Sequence, residues 1–171
     1  FQKNAIGSVL IKFEDTQVIC STNISNNIPR WLLNKNQGWI TAEYNMLPNS
    51  SSERVSRDRG GKLSGRTQEI QRLIGRTLRQ AVDLSLIPGI VITVDCDVLN
   101  ADGGTRTASI TGSYISTYIA LKNYYNSNPQ KYFKNQVAAI SLGKVDGEIY
   151  LDLDYSEDSI ADLDMNLVLN S

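Results

Sequence analysis

Ile90-Val91-Ile92-Thr93-Val94, then Asp95-Cys96-Asp97-Val98-Leu99, then Asn100-Ala101-Asp102-Gly103-Gly104-Thr105-Arg106 is the stretch on which the fold turns. Its opening is a β-branched run with the composition of a buried strand. Its close is a turn with two adjacent glycines. Beyond the turn, Ile110, Tyr114, Ile115, Tyr118 and Leu121 recur on one side of a helical wheel. The three pieces read as one strand–turn–helix unit at the centre of a mixed α/β chain.

Working outward, Pro88-Gly89 turns the chain into the strand. Ahead of it, Ile70, Leu73, Ile74, Leu78, Ala81 and Val82 repeat at helical spacing across Thr67–Leu84, while Arg72, Arg76 and Arg79 fall mostly elsewhere on the wheel. Residues 48–65 carry no apolar periodicity and read as a long surface loop, functional or disordered. Trp39–Tyr44 has strand composition. The Asn/Ser-rich residues 21–27 look like a loop or a frayed strand, and Ser8–Phe13, Glu14-Asp15 and Gln17–Cys20 read as a hairpin. Downstream, the pattern predicts strands at Gln136–Leu142 and Glu148–Tyr155 joined by a turn at Asp146-Gly147. An acidic connection and a last strand near Asn166–Leu169 follow.

A chain of 171 residues suits one domain, here 1–171, and buries a core without disulfides or a structural metal. Cys20 and Cys96 each sit in an apolar run, which points to reduced thiols and a cytoplasmic protein. No apolar stretch approaches the roughly 20 residues of a membrane span, and the first residues lack a signal peptide's pattern, so no membrane partner is expected. The net charge of −1 means that a nucleic-acid partner must be argued from local clustering. Histidine is absent. That excludes Ser-His-Asp and Cys-His catalysis and histidine-ligated zinc, and leaves carboxylates, arginines, hydroxyls and backbone amides for any chemistry.

Four constellations could carry such chemistry. In the turn before the second helix, two glycines allow close backbone approach, the helix start offers free N–H groups, and Arg106 adds a cationic fork; these are the parts of a phosphate site, although a plain tight connection explains them equally well. Arg66 stands at the start of the first helix, where a cation is unfavourable for the helix and a bound anion would compensate it. The loop from Glu53 through Lys62, with Arg54 and Arg57, has the arginines and glycines that suit an RNA backbone, or simply a solvated surface. Asp152, Asp154, Glu157, Asp158, Asp162 and Asp164 crowd carboxylates together, and an oxygen-ligated Mg²⁺ or a shared proton would relieve them.

Gln37 through Pro48, Gly65 through Arg76 and Asp95 through Gly112, together with Asp152–Ser159 and Asp164-Met165-Asn166, closely resemble bacterial RNase PH in order and spacing. The resemblance covers nearly the whole chain. It implies an α+β fold of RNase PH type, with mixed sheets packed with helices. It also implies a cytoplasmic, ring-shaped homohexamer and a phosphorolytic nucleotidyltransferase that trims RNA 3′ ends, transfer-RNA precursors in particular, with inorganic phosphate as co-substrate. By the same resemblance Arg66, Gly104, Thr105 and Arg106 hold phosphate, Asp158 and Asp164 are catalytic and hold Mg²⁺, and Arg54 and Arg57 grip RNA. The chain departs from the family pattern in lacking its N-terminal strand and C-terminal helical region. Asn49 replaces a usual arginine, Glu14 replaces a usual hairpin glycine, and the arginine loop is one residue short. A non-catalytic RNA-binding or structural ring subunit derived from RNase PH is the alternative expectation.

Overall fold

The computed structural model describes residues 1–57 and 63–171. Residues 58–62, which include Arg59, Gly60, Gly61 and Lys62 of the basic loop read above, lie outside the described residues. Seven strands and three α-helices form in chain order: β1 (Gly7–Phe13), β2 (Thr16–Ser25), β3 (Trp39–Met46), α1 (Gly65–Ala81), β4 (Val91–Asn100), α2 (Thr105–Tyr125), β5 (Val137–Val145), β6 (Glu148–Leu151), α3 (Tyr155–Ile160) and β7 (Leu163–Asn170).

The first sheet has the order β1-β2-β4-β3, in which β3 and β4 are parallel and the other pairs antiparallel. Strict alternation along β4 buries Ile92, Val94, Cys96 and Val98 on the face that meets α1 and α2. Burying these side chains stabilises each by roughly 1.5–3 kcal/mol relative to exposure. Cys20 and Cys96 face each other across β2 and β4 as buried free thiols. The second sheet, β6-β5-β7, is antiparallel throughout. Its β5–β6 hairpin turns at Asp146-Gly147, both at positive φ, the conformation that a two-residue Asp-Gly turn supplies.

Helix α2 lies between the two sheets, packed against β1, β2 and β4 on one side and β5 and β7 on the other. That position corrects the expectation of one apolar side. Ile115 is exposed, while Thr107, Ser109, Ser113, Ser116 and Thr117 are buried with Ile110 and Leu121. Small side chains let the sheets approach closely, and hydroxyls that find partners can be buried there. Thr22 Oγ1 and Ser116 Oγ pair at 2.8 Å, for example, and Ser109 Oγ donates to the Thr105 carbonyl at 2.7 Å.

Two further boundaries differ from the sequence reading. Residues 21–25 continue β2, because they pair with Asp95 through Val91 of β4 and bury Ser21, Thr22 and Ile24. The strand expected at Glu148–Tyr155 ends at Leu151, Asp152 turns the chain at φ 53°, and Tyr155 opens α3. A reciprocal cap drives that switch: Asp154 accepts from the Glu157 N–H at 2.8 Å, and the Asp154 N–H donates to Glu157 Oε2 at 3.2 Å. Among the described residues no helix is long and apolar enough to cross a membrane.

The second sheet is apolar on both faces. Val137 and Ala139 point to α2, while Ile140 and Leu142 share the outer face with Leu151, Met165, Leu167 and Leu169. Leu151 and Leu169 are 63% and 59% exposed, so this face is uncovered within the chain.

Candidate functional site

The glycine turn is held open by its neighbours. Gly103 and Gly104 adopt φ of 75° and 55°, which side-chain-bearing residues rarely do, and a Cβ on Gly103 would strike the Leu153 carbonyl. Thr16 pins the turn from below: its Oγ1 donates to the Gly103 carbonyl at 2.6 Å and accepts from the Asp102 N–H at 2.8 Å. Helix α2 begins at Gly104 with no side-chain cap. The first N–H groups of a helix have no intrahelical acceptor, so they and the positive end of the helix dipole are available to an anion.

This turn forms one wall of an open cavity of about 870 Å³. Gly104, Thr105 and Arg106 line it together with Arg66 from the first turn of α1, Asp158 from α3 and Asp164 from β7. Residues far apart in sequence meet because α2 carries its N-terminus to the seam between the two sheets. The Tyr155 N–H donates to Asp102 Oδ1 at 3.3 Å, which ties α3 to the glycine turn. Arg106 Nη2 pairs with Glu69 of α1 at 3.2 Å, while its buried Nε has no hydrogen-bond partner among the described residues.

Charge is arranged in two walls. Arg66 and Arg106 stand on the side built by the first sheet and its helices, and Asp158 and Asp164 on the side built by the second. Burial, and then the charge of Asp164, hold the Asp158 carboxyl above its ordinary range, with Arg66 and Arg106 pulling the other way. All four groups therefore lie within electrostatic reach of one another. Among the described residues no group of three or more His, Cys, Asp or Glu side chains is placed to hold a metal. Two carboxylates facing an anion site do, however, match the way Mg²⁺ is commonly bound, by one or two carboxylates plus substrate phosphates and waters.

Of the basic-loop residues, Arg54 lines the cavity, whereas Arg57 is exposed and outside the lining. The Val55 N–H donates to the Pro48 carbonyl at 2.8 Å, folding this segment against the end of β3. Asn49 is exposed and also outside the lining.

Three residues that the sequence reading did not single out belong to the same surroundings. Ser141 of β5 lines the cavity with a buried Oγ that lacks a partner among the described residues. Asn166 lines it as well, on the same face of β7 as Asp164, and the two-residue period of a strand would have revealed it. Tyr44 donates to Thr105 from beneath the helix start at 3.0 Å, and nothing in the sequence pattern distinguishes it from an ordinary core tyrosine.

Comparison with known proteins gives consistent matches along the chain. Residues 1–123 match the model described as 3′ exoribonuclease family, domain 1, and residues 135–171 match the model for domain 2 of the same family. Similar solved structures include Rrp46 of rice (Oryza sativa), with a TM-score of 0.74 and 18% identity over 99% of this chain and 77% of that one. The Archaeoglobus fulgidus exosome with RNA bound to the active site gives a TM-score of 0.77 and 20% identity over 99% and 70%. An archaeal exosome core gives 0.73 and 19% over 99% and 67%. At these identities the likeness establishes a shared fold.

Proposed function

Because the chain belongs to the RNase PH family of 3′ exoribonucleases, we propose that it shortens RNA from the 3′ end by phosphorolysis and releases nucleoside diphosphates. The observation that carries this reading is the meeting of Arg66, Arg106, a glycine-lined helix start and two carboxylates around one open cavity.

The reaction brings an anionic nucleophile to an anionic diester, so its main electrostatic obstacle is repulsion. Arg66 and Arg106 offset that repulsion, and Arg106 suits the task because its fork presents several donors to phosphate oxygens at once. Thr105 and the first N–H groups of α2 orient the phosphate. One of its oxygens attacks the phosphorus of the terminal linkage; the bond to the preceding nucleotide's 3′ oxygen breaks, and that oxygen takes a proton. With histidine absent from the chain, a carboxyl of the Asp158–Asp164 pair is the group suited to deliver it. The same two residues would hold Mg²⁺, which when bound supplies charge neutralisation at the scissile phosphate.

Arg54, and Arg57 beyond the rim, grip the RNA backbone through charge, and transfer-RNA precursors are the expected substrates. A homohexameric ring in the cytoplasm completes the reading. The uncovered outer face of the second sheet supports assembly, since apolar patches of this kind mark contact surfaces.

The test is to incubate a 5′-labelled RNA and a 3′-terminally labelled RNA with the protein, with and without phosphate. Nucleoside diphosphates formed only in phosphate support the reading. Monophosphates formed equally well without phosphate overturn it. RNA retained without any product points instead to a non-catalytic ring subunit.

A further inference from the structure

Beyond the cavity, α1 carries cations without acidic partners. Arg72 and Arg76 are exposed and one helical turn apart, and Arg79 follows. Among the described residues the ion pairs are Arg106–Glu69 and Lys134–Asp83, so these three arginines and Lys35 meet no carboxylate. The row ends on aromatic rings. The Arg79 guanidinium lies 4.6 Å over Trp39 and donates to the Ile40 carbonyl at 2.8 Å. Trp39 meets Trp31 edge-on with ring centroids 4.9 Å apart, and Lys35 Nζ stands 5.4 Å over Trp31. Trp31 is 50% exposed.

The row has a direction. Arg66 at the start of α1 and Met46 at the end of β3 both line the cavity, while Arg79 reaches Ile40 at the other end of β3. Helix α1 thus runs antiparallel to β3, from the cavity to the tryptophans. From Arg66 to Arg79 the rise is about 20 Å at 1.5 Å per residue.

Unpaired arginines followed by a half-exposed indole offer two complementary things, positive charge for phosphates and a flat apolar face for a base. Single-stranded nucleic acid presents both in alternation. A duplex hides its base faces, and an acidic protein surface would match the cations but leave the ring unused. We propose that the arginine row of α1 and the Trp31 ring form a second RNA-contact surface, which receives the single-stranded segment upstream of the 3′ end and stacks one of its bases. This deepens the preceding reading and rests on it for the 3′ end being in the cavity.

The experiment compares two RNA oligomers bound without phosphate by the intact chain: a short one that fills only the cavity, and one long enough to reach Trp31. Trp31→Ala should weaken the long RNA about tenfold or more and leave the short one unchanged. In a Trp39→Phe background, the long RNA alone should quench the remaining indole emission. Arg72→Gln with Arg76→Gln, both exposed and free of packing duties, should weaken the long RNA and reduce its salt slope by up to about two.

Equal losses for both lengths, or no quenching, would overturn the proposal. So would a change in particle mass with RNA affinity unmoved, since the surface would then be a contact between copies. Phosphorolysis of the short RNA is read in parallel. Its presence alongside a length-independent Trp31→Ala effect refutes this surface alone, whereas its absence with Trp31-dependent binding retained refutes the catalytic reading and leaves the surface standing.

Discussion

The Tyr44 hydroxyl donates to Thr105 Oγ1 across 3.0 Å, joining β3 to the first residue of α2. Tyr44 is buried, and burial holds its phenol above the usual range, so the donor stays protonated. With one lone pair of Thr105 engaged from below, the threonine's own O–H is free to be donated into the cavity.

Replacing Tyr44→Phe removes that constraint without opening a hole. A net hydrogen bond of this kind contributes about 0.5–1.5 kcal/mol, so the phosphate concentration for half-maximal diphosphate release should rise about two- to tenfold. The maximal rate at saturating phosphate should change little. An unmoved phosphate dependence would show that Tyr44 merely fills the core.

Asp154 caps α3, the short helix that carries Asp158 to the cavity. Its carboxyl is held below the usual range, first by the Ser156 hydroxyl and then by the Glu157 N–H. Asp154→Ala should leave the global unfolding midpoint nearly unchanged, because α3 has six residues and none is buried. Activity should fall several-fold as Asp158 loses its placement, and Asp154→Asn, which keeps a cap acceptor, should restore most of it. Steady-state rates of the two variants at matched phosphate decide the point.

On the first sheet, Asp95 stands beside Glu43 in the parallel register and two residues from Asp97. Burial, then Glu43, then Asp97 raise its carboxyl above the ordinary range. The folded chain therefore binds this proton more tightly than the unfolded chain, and stability falls as pH rises from the unfolded-state value through the folded-state one. Asp95→Asn should raise the urea midpoint at pH 7. The gain should vanish below about pH 3, where an ordinary aspartate is already protonated. A gain independent of pH would assign the effect to packing instead.

Glu14 turns the β1–β2 hairpin at φ 48°, the left-handed region that costs a side-chain-bearing residue about 1–2 kcal/mol. Glycine adopts it freely but loses more entropy on folding. Glu14→Gly should stabilise the protein by a net of roughly 0.5–1 kcal/mol, read from denaturant melts.

The parts of the fold written in local pattern were legible: the β-branched run of β4, the helical spacing of α1, the β1–β2 hairpin and the glycine turn ahead of α2. What escaped was set by contacts from elsewhere in the chain. Ser21 and Thr22 look like loop residues until β4 pairs with them and Ser116 accepts the threonine into the core. The small hydroxyl residues of α2 carry no apolar periodicity because both sides of the helix are covered. Only α3 had a local signal that went unread, since Asp154-Tyr155-Ser156-Glu157 is a reciprocal-cap sequence embedded in a stretch that also alternates like a strand. For the site, Arg66, Thr105, Arg106, Asp158 and Asp164 could be named as chemical types. Their meeting, and the presence of Ser141 and Asn166 among them, depended on how the two sheets dock across α2.

That docking sets an order in time. The basic wall of the cavity comes from residues between Arg54 and Arg106, and the acidic wall from Asp158 and Asp164. A chain emerging from the ribosome therefore holds its anion-attracting half some fifty residues before the carboxylates arrive (158 − 106 = 52). During that interval a nascent chain can attract RNA but lacks the acidic half of the cavity, so the ribosome's own RNA is near the growing polypeptide while it is still incomplete as a nuclease.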